Sequence, residues 1–302
     1  MALAGVSDVY ASGSELLKAF LGLHIASSQL YRVTNLLGEQ ITAELLAPVE
    51  HPPLAEDEVV YASVDGSMVL TDEGWQEVKV GRVFTSQARV EAGQKGDNQT
   101  RFRLSTSTYC AHLGEHTDFT PLFEASLGTY QSQSERLVLI SDGGVWIQNY
   151  FSRRYPKAIH ILDYYHAVEH LAEWVRIHFK GGKLGSQWFD KQKDSLLSDG
   201  VDNLIAELET LSGLSVDNAA CRDRLVGYYK RNRSRMQYGT YRSGGLQIGS
   251  GAIEAAHRTV IQCRMKRSGQ RWTDAGAQAM LNLRAAAKSG RWQLVRDRLN
   301  PV

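Results

Sequence analysis

The run Leu137-Val-Leu-Ile140, closed by Ser141-Asp142-Gly143-Gly144, constrains the chain most. An unbroken stretch of β-branched and leucine side chains reads as a strand buried on both faces. A carboxylate directly after it is expensive to desolvate without a partner. A helical pattern follows the two glycines, so the strand feeds a strand–turn–helix unit. Open α/β sheets place ligands at the carboxyl ends of such strands.

The chain is 302 residues long, enough for one large domain or two ordinary ones. No stretch approaches the roughly 20 apolar residues of a membrane-spanning helix. The N-terminus carries neither a basic leader nor a signal-type apolar core, which predicts a cytoplasmic protein. Cys110, Cys221 and Cys263 lie far apart with no Cys-x-x-Cys pair, so neither a disulfide framework nor a zinc ribbon is indicated.

The formal net charge of +1 conceals an asymmetry. From Arg222 onward there are 17 Lys/Arg and 4 Asp/Glu; the preceding residues carry 17 and 29. A C-terminal third this basic suggests a polyanionic partner, most simply nucleic acid. The plain alternative is a solvated helical surface facing an acidic domain.

Residues 14–38 outline two short helices, the first capped by Ser14 and broken at Gly22. The second runs over 27–37, with Leu30, Val33 and Leu37 on one face and Gly38 as its end. That is a helix-turn-helix outline, with Ser27, Ser28, Gln29 and Arg32 available to DNA. Any αα-hairpin looks similar. Residues 48–58 read as a linker. Strands are then expected over Val59–Val64, Glu77–Phe84 and Arg101–Tyr109, with a polar loop over 85–100. A helix over 118–130 leads into the strand ending at Asp142. Another helix (145–155), a strand ending at Asp163, and a helix from Tyr164 to Lys180 follow. Further helices are expected at 186–212, 217–235, 251–262, 273–287 and 291–299, with a glycine-rich loop over 238–251. Three antiparallel strands followed by parallel ones, then helices, predict a mixed α/β sheet. The expected divisions are 1–50 (helical, DNA-binding), 51–180 (core), 181–248 (helical insertion) and 249–302 (C-terminal helices).

Three acids stand out. Asp65 and Asp142 each follow an apolar strand and precede glycine. With the first and fourth strands side by side, their ends would bring both carboxylates to one Mg²⁺, a hard cation that keeps several waters. Each Asp-Gly could instead be a turn; Asp142 fits that poorly because a helix follows it. Glu254 is the only acid between Asp223 and Asp274. Ser250 would cap its helix, and His257 and Arg258 lie one turn on, on the same face. A helix N-terminus favours acids in any case.

The ordered set Val64-Asp65-Gly-Ser-Met, Glu77-Val-Lys-Val-Gly, Ser141-Asp142-Gly, Asp163-Tyr-Tyr-His166, Gly249-Ser-Gly-Ala-Ile-Glu254 and Arg264-Met-Lys-Arg-Ser-Gly-Gln-Arg-Trp272 resembles DDE-type insertion-sequence transposases, most closely the ISKra-four group. The resemblance runs from about residue 12 to 290. It implies an RNase H-like core with a helical insertion before the last catalytic helix. It also implies Asp65, Asp142 and Glu254 as a triad binding Mg²⁺ (or Mn²⁺), with Asp163, His166 and His257 as accessory residues. Members of that group usually carry a longer, Cys-rich N-terminal part, so this chain is expected to be a truncated, remnant or repurposed transposase.

The implied chemistry is two-metal hydrolysis of a phosphodiester at a transposon end, then attack of the freed 3′-OH on target DNA. Arg258, Arg264, Lys266, Arg267 and Arg271 would hold phosphates. Transposition pairs two DNA ends, which implies a homodimer on DNA. Trp146 or Trp272 could stack on an unpaired base, although burial accounts for a tryptophan as well. Two other readings compete. His166-Ala-Val-Glu169-His170 matches a zinc peptidase signature, with Glu207 or Glu209 as a further ligand. The chain could also be a non-catalytic DNA-binding regulator.

Overall fold

The computed structural model describes residues 1–94, 100–249 and 251–299. The chain is α/β, with strands of mixed direction and many helices. It packs as two units, Met1–Leu137 with Gly251–Val302 and Val138–Ser250.

The first unit is built on three antiparallel strands: β1 (Val60–Thr71), β2 (Gly74–Thr85) and, beyond a two-stranded ribbon of β3 (Arg89–Gln94) and β4 (Thr100–Leu104), β5 (Thr108–Leu113). The polar stretch after β2 is thus a hairpin arm rather than a loop, and the third core strand starts later than its alternation suggests. In β1 the chain runs straight through Asp65-Gly66, which pair with Val80 and Lys79. The turn lies at Asp72-Glu73 instead, with Gly74 at φ +107°. Asp65 is therefore a mid-strand residue, not a strand end.

Pairing fixes the faces. Asp65, Ser63 and Ser67 of β1 share a face with Val80, Arg82 and Val78 of β2, because directly opposed residues point the same way. The other face is covered by the helix His116–Leu127. A Cβ on Gly81 would lie 2.9 Å from Phe123 and 3.2 Å from Phe119, so glycine lets that helix approach. Pro121 sits inside it, and the Thr120 hydroxyl donates to the Thr117 carbonyl that proline cannot serve.

The outer edge of β5 is sealed by side chains rather than by another strand. Gln278 Oε1 accepts the Leu113 amide at 2.8 Å, and Ser289 Oγ accepts the Tyr109 amide at 2.8 Å. Both lie on or just past the helix Asp274–Lys288, capped by Thr273. An edge covered in this way is closed to another strand. Against the same helix packs Ser27–Gln40, which runs through Gly38 instead of ending there. A Cβ on Gly38 would collide with the Ala279 backbone carbonyl. The residue marks a close helix–helix crossing, and Asn282 Nδ2 donates to its carbonyl at 2.9 Å. Ser14 is interior to the helix Tyr10–Leu21, whose left-handed cap is Gly22 as expected.

The second unit opens with the parallel pair β6 (Leu137–Ser141) and β7 (Ile159–Leu162), joined by the helix Val145–Arg154. All of β6 is buried, as its composition requires. Helices Tyr164–Phe179, Lys183–Leu196, Val201–Thr210, Val216–Asn232 and Tyr238–Ser243 follow. The segment expected as one helix over 186–212 is split at Asp199 (φ +61°) and Gly200. The expected glycine-rich loop begins with a helix.

Candidate functional site

Asp65 projects from the face of β1 that meets the chain segment bearing Glu254. That segment is the helix Gly251–Ala256, continued by a π-helical turn, His257–Gln262, and by Cys263–Met265. The cap assigned to Ser250 falls outside the described residues. The wider π turn begins at His257, and such turns often reorient a side chain at a functional site. His257 is buried, and its Nε2 lies 2.9 Å from Asp65 Oδ2. The distance is that of an ion pair, but the angle is not that of a hydrogen bond, so this buried nitrogen has no aligned partner. Asp65 Oδ1 accepts the Gly66 amide at 2.7 Å. Glu254 is exposed in the first turn.

Arg82 secures this arrangement. It is buried in phase with Val78 and Val80, donates from Nη1 to the Ala252 carbonyl at 2.6 Å and from Nε to Ser107 Oγ at 3.0 Å. Its guanidinium lies 5.0 Å from the Tyr109 ring centre. Burial lowers its pKa, with Tyr109 opposing the shift. Sequence reasoning did not select it. The available signal was an arginine occupying a core phase of an alternating strand.

The basic segment after the π turn divides by environment. Lys266 Nζ donates to Ser67 Oγ at 2.6 Å, two residues from Asp65 on the same face, and burial lowers its pKa. Arg258 and Arg271 are exposed. Arg267 is held by Asp8 at 2.7 Å and by the Cys263 carbonyl. Arg264 corrects the expectation of a phosphate contact. It is 1% exposed, bonded to the Gly5 carbonyl at 2.8 Å, and its guanidinium lies over the Tyr10 and Trp272 rings. A side chain so enclosed holds the N-terminal helix and cannot reach a ligand outside. Trp272 is likewise buried; its Nε1 donates to the Met265 carbonyl, and its backbone bridges to Thr71 of β1. Ser27, Ser28, Gln29 and Arg32 are exposed near the start of the helix Ser27–Gln40, which buries Leu30, Thr34 and Leu37 on its opposite side.

In the second unit Asp142 directly follows β6. Its Oδ1 accepts the Gly144 amide at 2.9 Å, and its carbonyl accepts the Tyr228 hydroxyl at 2.8 Å. Gly143 has φ +90°, and a Cβ there would lie 2.8 Å from Leu162 and 3.3 Å from both Asn232 and Tyr228. Glycine is thus required by conformation and by space. Burial, then the charge of Asp142, raises the Tyr228 pKa, so the phenol stays a donor. Nothing in the sequence marked Tyr228, which comes from the helix Val216–Asn232. Asp163 is buried and caps the helix Tyr164–Phe179 by accepting the Tyr165 amide at 3.0 Å. Gly249 packs on Tyr165, where a Cβ would fall 2.5 Å from the ring.

The zinc-peptidase ligand set does not assemble. Glu207 is engaged by Trp188 Nε1 at 2.7 Å and Gln192 Nε2 at 2.9 Å, and Glu209 pairs with Lys230. The His166 and His170 rings meet edge to face, and His166 Nδ1 lies 3.5 Å from Glu169. Among the described residues no three His, Cys, Asp or Glu side chains gather as a metal cage, and no helix is long and apolar enough to cross a membrane.

No family model matches the chain. It is similar to the UPF0236 protein encoded in the vanSb 3′ region of Streptococcus gallolyticus, with 24% identity over 310 aligned positions, covering 97% of this chain. The chain spans 63% of that relative's length.

Proposed function

We propose that this chain is a transposase-related protein of the DDE type that cleaves and joins DNA phosphodiesters, with Asp65, Asp142 and Glu254 as its acids. One observation carries the reading: Asp65 faces the helix that bears Glu254, so two motifs remote in sequence meet in the first unit. Asp142, at the end of β6 in the second unit, is the third acid the reading requires.

The donor set suits Mg²⁺ or Mn²⁺, since hard carboxylate oxygens suffice for a cation that retains most of its water. Asp65, Glu254 and Asp142 would hold the ion, which when bound supplies Lewis-acid stabilisation of the phosphate and an acidified water. The chain's own groups do the rest. His257 Nε2 packs against the Asp65 carboxylate, 2.9 Å from Oδ2. Arg82 fixes the turn carrying Glu254 through the Ala252 carbonyl. Tyr228 and the Gly143 turn set the backbone of Asp142. Lys266, Arg258 and Arg271 offer cations to phosphates, a positioning role that carries no base specificity.

The test is Mg²⁺- or Mn²⁺-dependent nicking of end-labelled DNA by the full chain. Replacing a partner of a metal ligand typically lowers activity 10–100-fold, so removing a ligand itself should cost more than about 100-fold. Asp142→Asn, Asp65→Asn and Glu254→Gln are each expected to show that loss. Nicking by Asp142→Asn equal to that of the parent chain would falsify the assignment. Binding retained by the parent without any nicking would leave a DNA-binding protein without this chemistry.

A further inference from the structure

Within the second unit a groove of about 350 Å³ opens between the helices Tyr164–Phe179 and Val216–Asn232. Arg224, Tyr228 and Arg231 line it from one helix, at the i, i+4, i+7 spacing that shares a face. His170 and Glu173 line it from the other. Gly227 leaves the wall open; a Cβ there would meet only Arg231 Nη1, at 3.4 Å.

Asp223 also lines the groove, but its carboxylate is already paired with Arg222 at 2.8 Å, which leaves Arg224, Arg231 and the two rings as the groups that suit a planar ligand carrying a phosphate. The Tyr228 and His170 rings stand 4.2 Å apart at 41°, forming an aromatic corner. Tyr228 is tethered at its hydroxyl by the Asp142 carbonyl, which fixes its ring at that end of the groove. Arg224, Arg231 and Glu173 line the same space, yet none of them has an ion-pair partner within 4 Å among the described residues. Two guanidinium groups suit a phosphate, an aromatic corner suits a base face, and a carboxylate accepts exocyclic N–H. The volume is that of one nucleotide rather than of a duplex.

We propose that this groove is a seat for a single unpaired nucleotide: phosphate on Arg224 and Arg231, base against Tyr228 and His170. Burial and the neighbouring His166 lower the His170 pKa, which keeps that ring neutral and able to stack. The proposal rests on the reading that the chain handles DNA, and it adds that a nucleotide is held out of the helix beside Asp142.

The experiment uses 2-aminopurine as the probe, with the full chain. One arm places it in an unpaired terminal overhang, one within paired duplex, and one supplies free 2-aminopurine deoxyribonucleoside monophosphate. Stacking contacts of this kind are typically worth 5- to 150-fold in affinity. Quenching is expected for the overhang and not for the paired position. Arg231→Gln, at an exposed position, should weaken the overhang signal about tenfold, the loss expected of one charge-assisted phosphate contact. Tyr228→Leu should abolish quenching, while Tyr228→Phe, which keeps the ring but loses its tether to the Asp142 carbonyl, should retain most of it. Quenching of the free monophosphate with the same variant pattern would assign the groove to free nucleotide; its absence, with overhang quenching intact, would assign it to DNA-borne nucleotide. Quenching in no arm, or quenching indifferent to Arg231→Gln and Tyr228→Leu, overturns the proposal. Asp65→Asn lies outside the groove. It should keep the quenching, so loss of nicking and loss of the nucleotide seat are separable results.

Discussion

Arg264 and Lys266 stand two positions apart in the same basic motif, yet the fold uses them in opposite ways. Arg264 is enclosed by Tyr10, Trp272 and the Gly5 carbonyl, whereas Lys266 reaches Ser67 beside Asp65. A charge-bearing hydrogen bond contributes roughly 1.5–3 kcal/mol, and a buried acceptor left unpaired adds to the loss. Arg264→Gln should therefore lower unfolding free energy by about 2–4 kcal/mol, measured by chemical denaturation. On the proposed DNA-handling role, Lys266→Gln and Arg271→Gln should each reduce the salt slope of binding to DNA by about 1. Arg267→Gln should leave that slope unchanged, because Asp8 already neutralises it. A slope that falls equally for all three would remove the distinction. The cysteines follow the same logic. Cys110 is fully buried and its thiol is pushed up to about 12, while Cys221 is buried with its pKa raised. Only exposed Cys263 should react with a thiol reagent in native protein, rising to three equivalents on unfolding. More than one fast native thiol would contradict this packing. None of these distinctions is legible from residue type, since exposure depends on contacts with residues far along the chain.

At the scale of elements, β1 and the helix Ser27–Gln40 show where local signals mislead. Asp65-Gly66 carries the composition of a turn, but twelve residues of β1 pass through it in register with β2. Tertiary pairing overrides local turn propensity, because the Val78-to-Val83 segment of β2 is buried and needs a partner over its full length. Gly38 carries the signal of a helix end, yet the helix continues and the missing side chain admits the Ala279 backbone. Overpacking typically costs 1–3 kcal/mol. Gly38→Ala should thus destabilise the chain by about that amount, despite alanine's better helix propensity, and thermal unfolding would show it. A stabilised variant would mean that the helices can separate without loss. Other elements were legible. The β6 strand, its glycine turn and the helix Val145–Arg154 lie within a residue or two of where their pattern puts them, because that pattern is short-range and uninterrupted. The π turn at His257, which buries Val260 and Ile261, had no sequence signal.

Across the whole chain, half-buried imidazoles set a shared acid sensitivity. Burial is the first cause that lowers the pKa of His51, His112, His160 and His170 below the ordinary 6.5. A histidine held neutral in the fold binds its proton more weakly there than in the unfolded chain. Its contribution is complete above about pH 6.5 and is lost as pH falls from there toward the folded value. Denaturation midpoints should therefore drop between pH 7.5 and 5.5, and His51→Gln should flatten that dependence. A midpoint constant over that interval would refute the account. The sequence by itself determined the strand–turn–helix unit at Asp142, the α/β class, the basic C-terminal third and the order of the acidic motifs. Each of these follows from periodicity, composition or covalent order, which act over a few residues or need no geometry. The tertiary structure decided which arginines are buried, that Asp65 sits mid-strand against His257, and that Tyr228 closes on the Asp142 turn. Those outcomes depend on contacts between residues separated by tens to hundreds of positions, and only the packed chain specifies them.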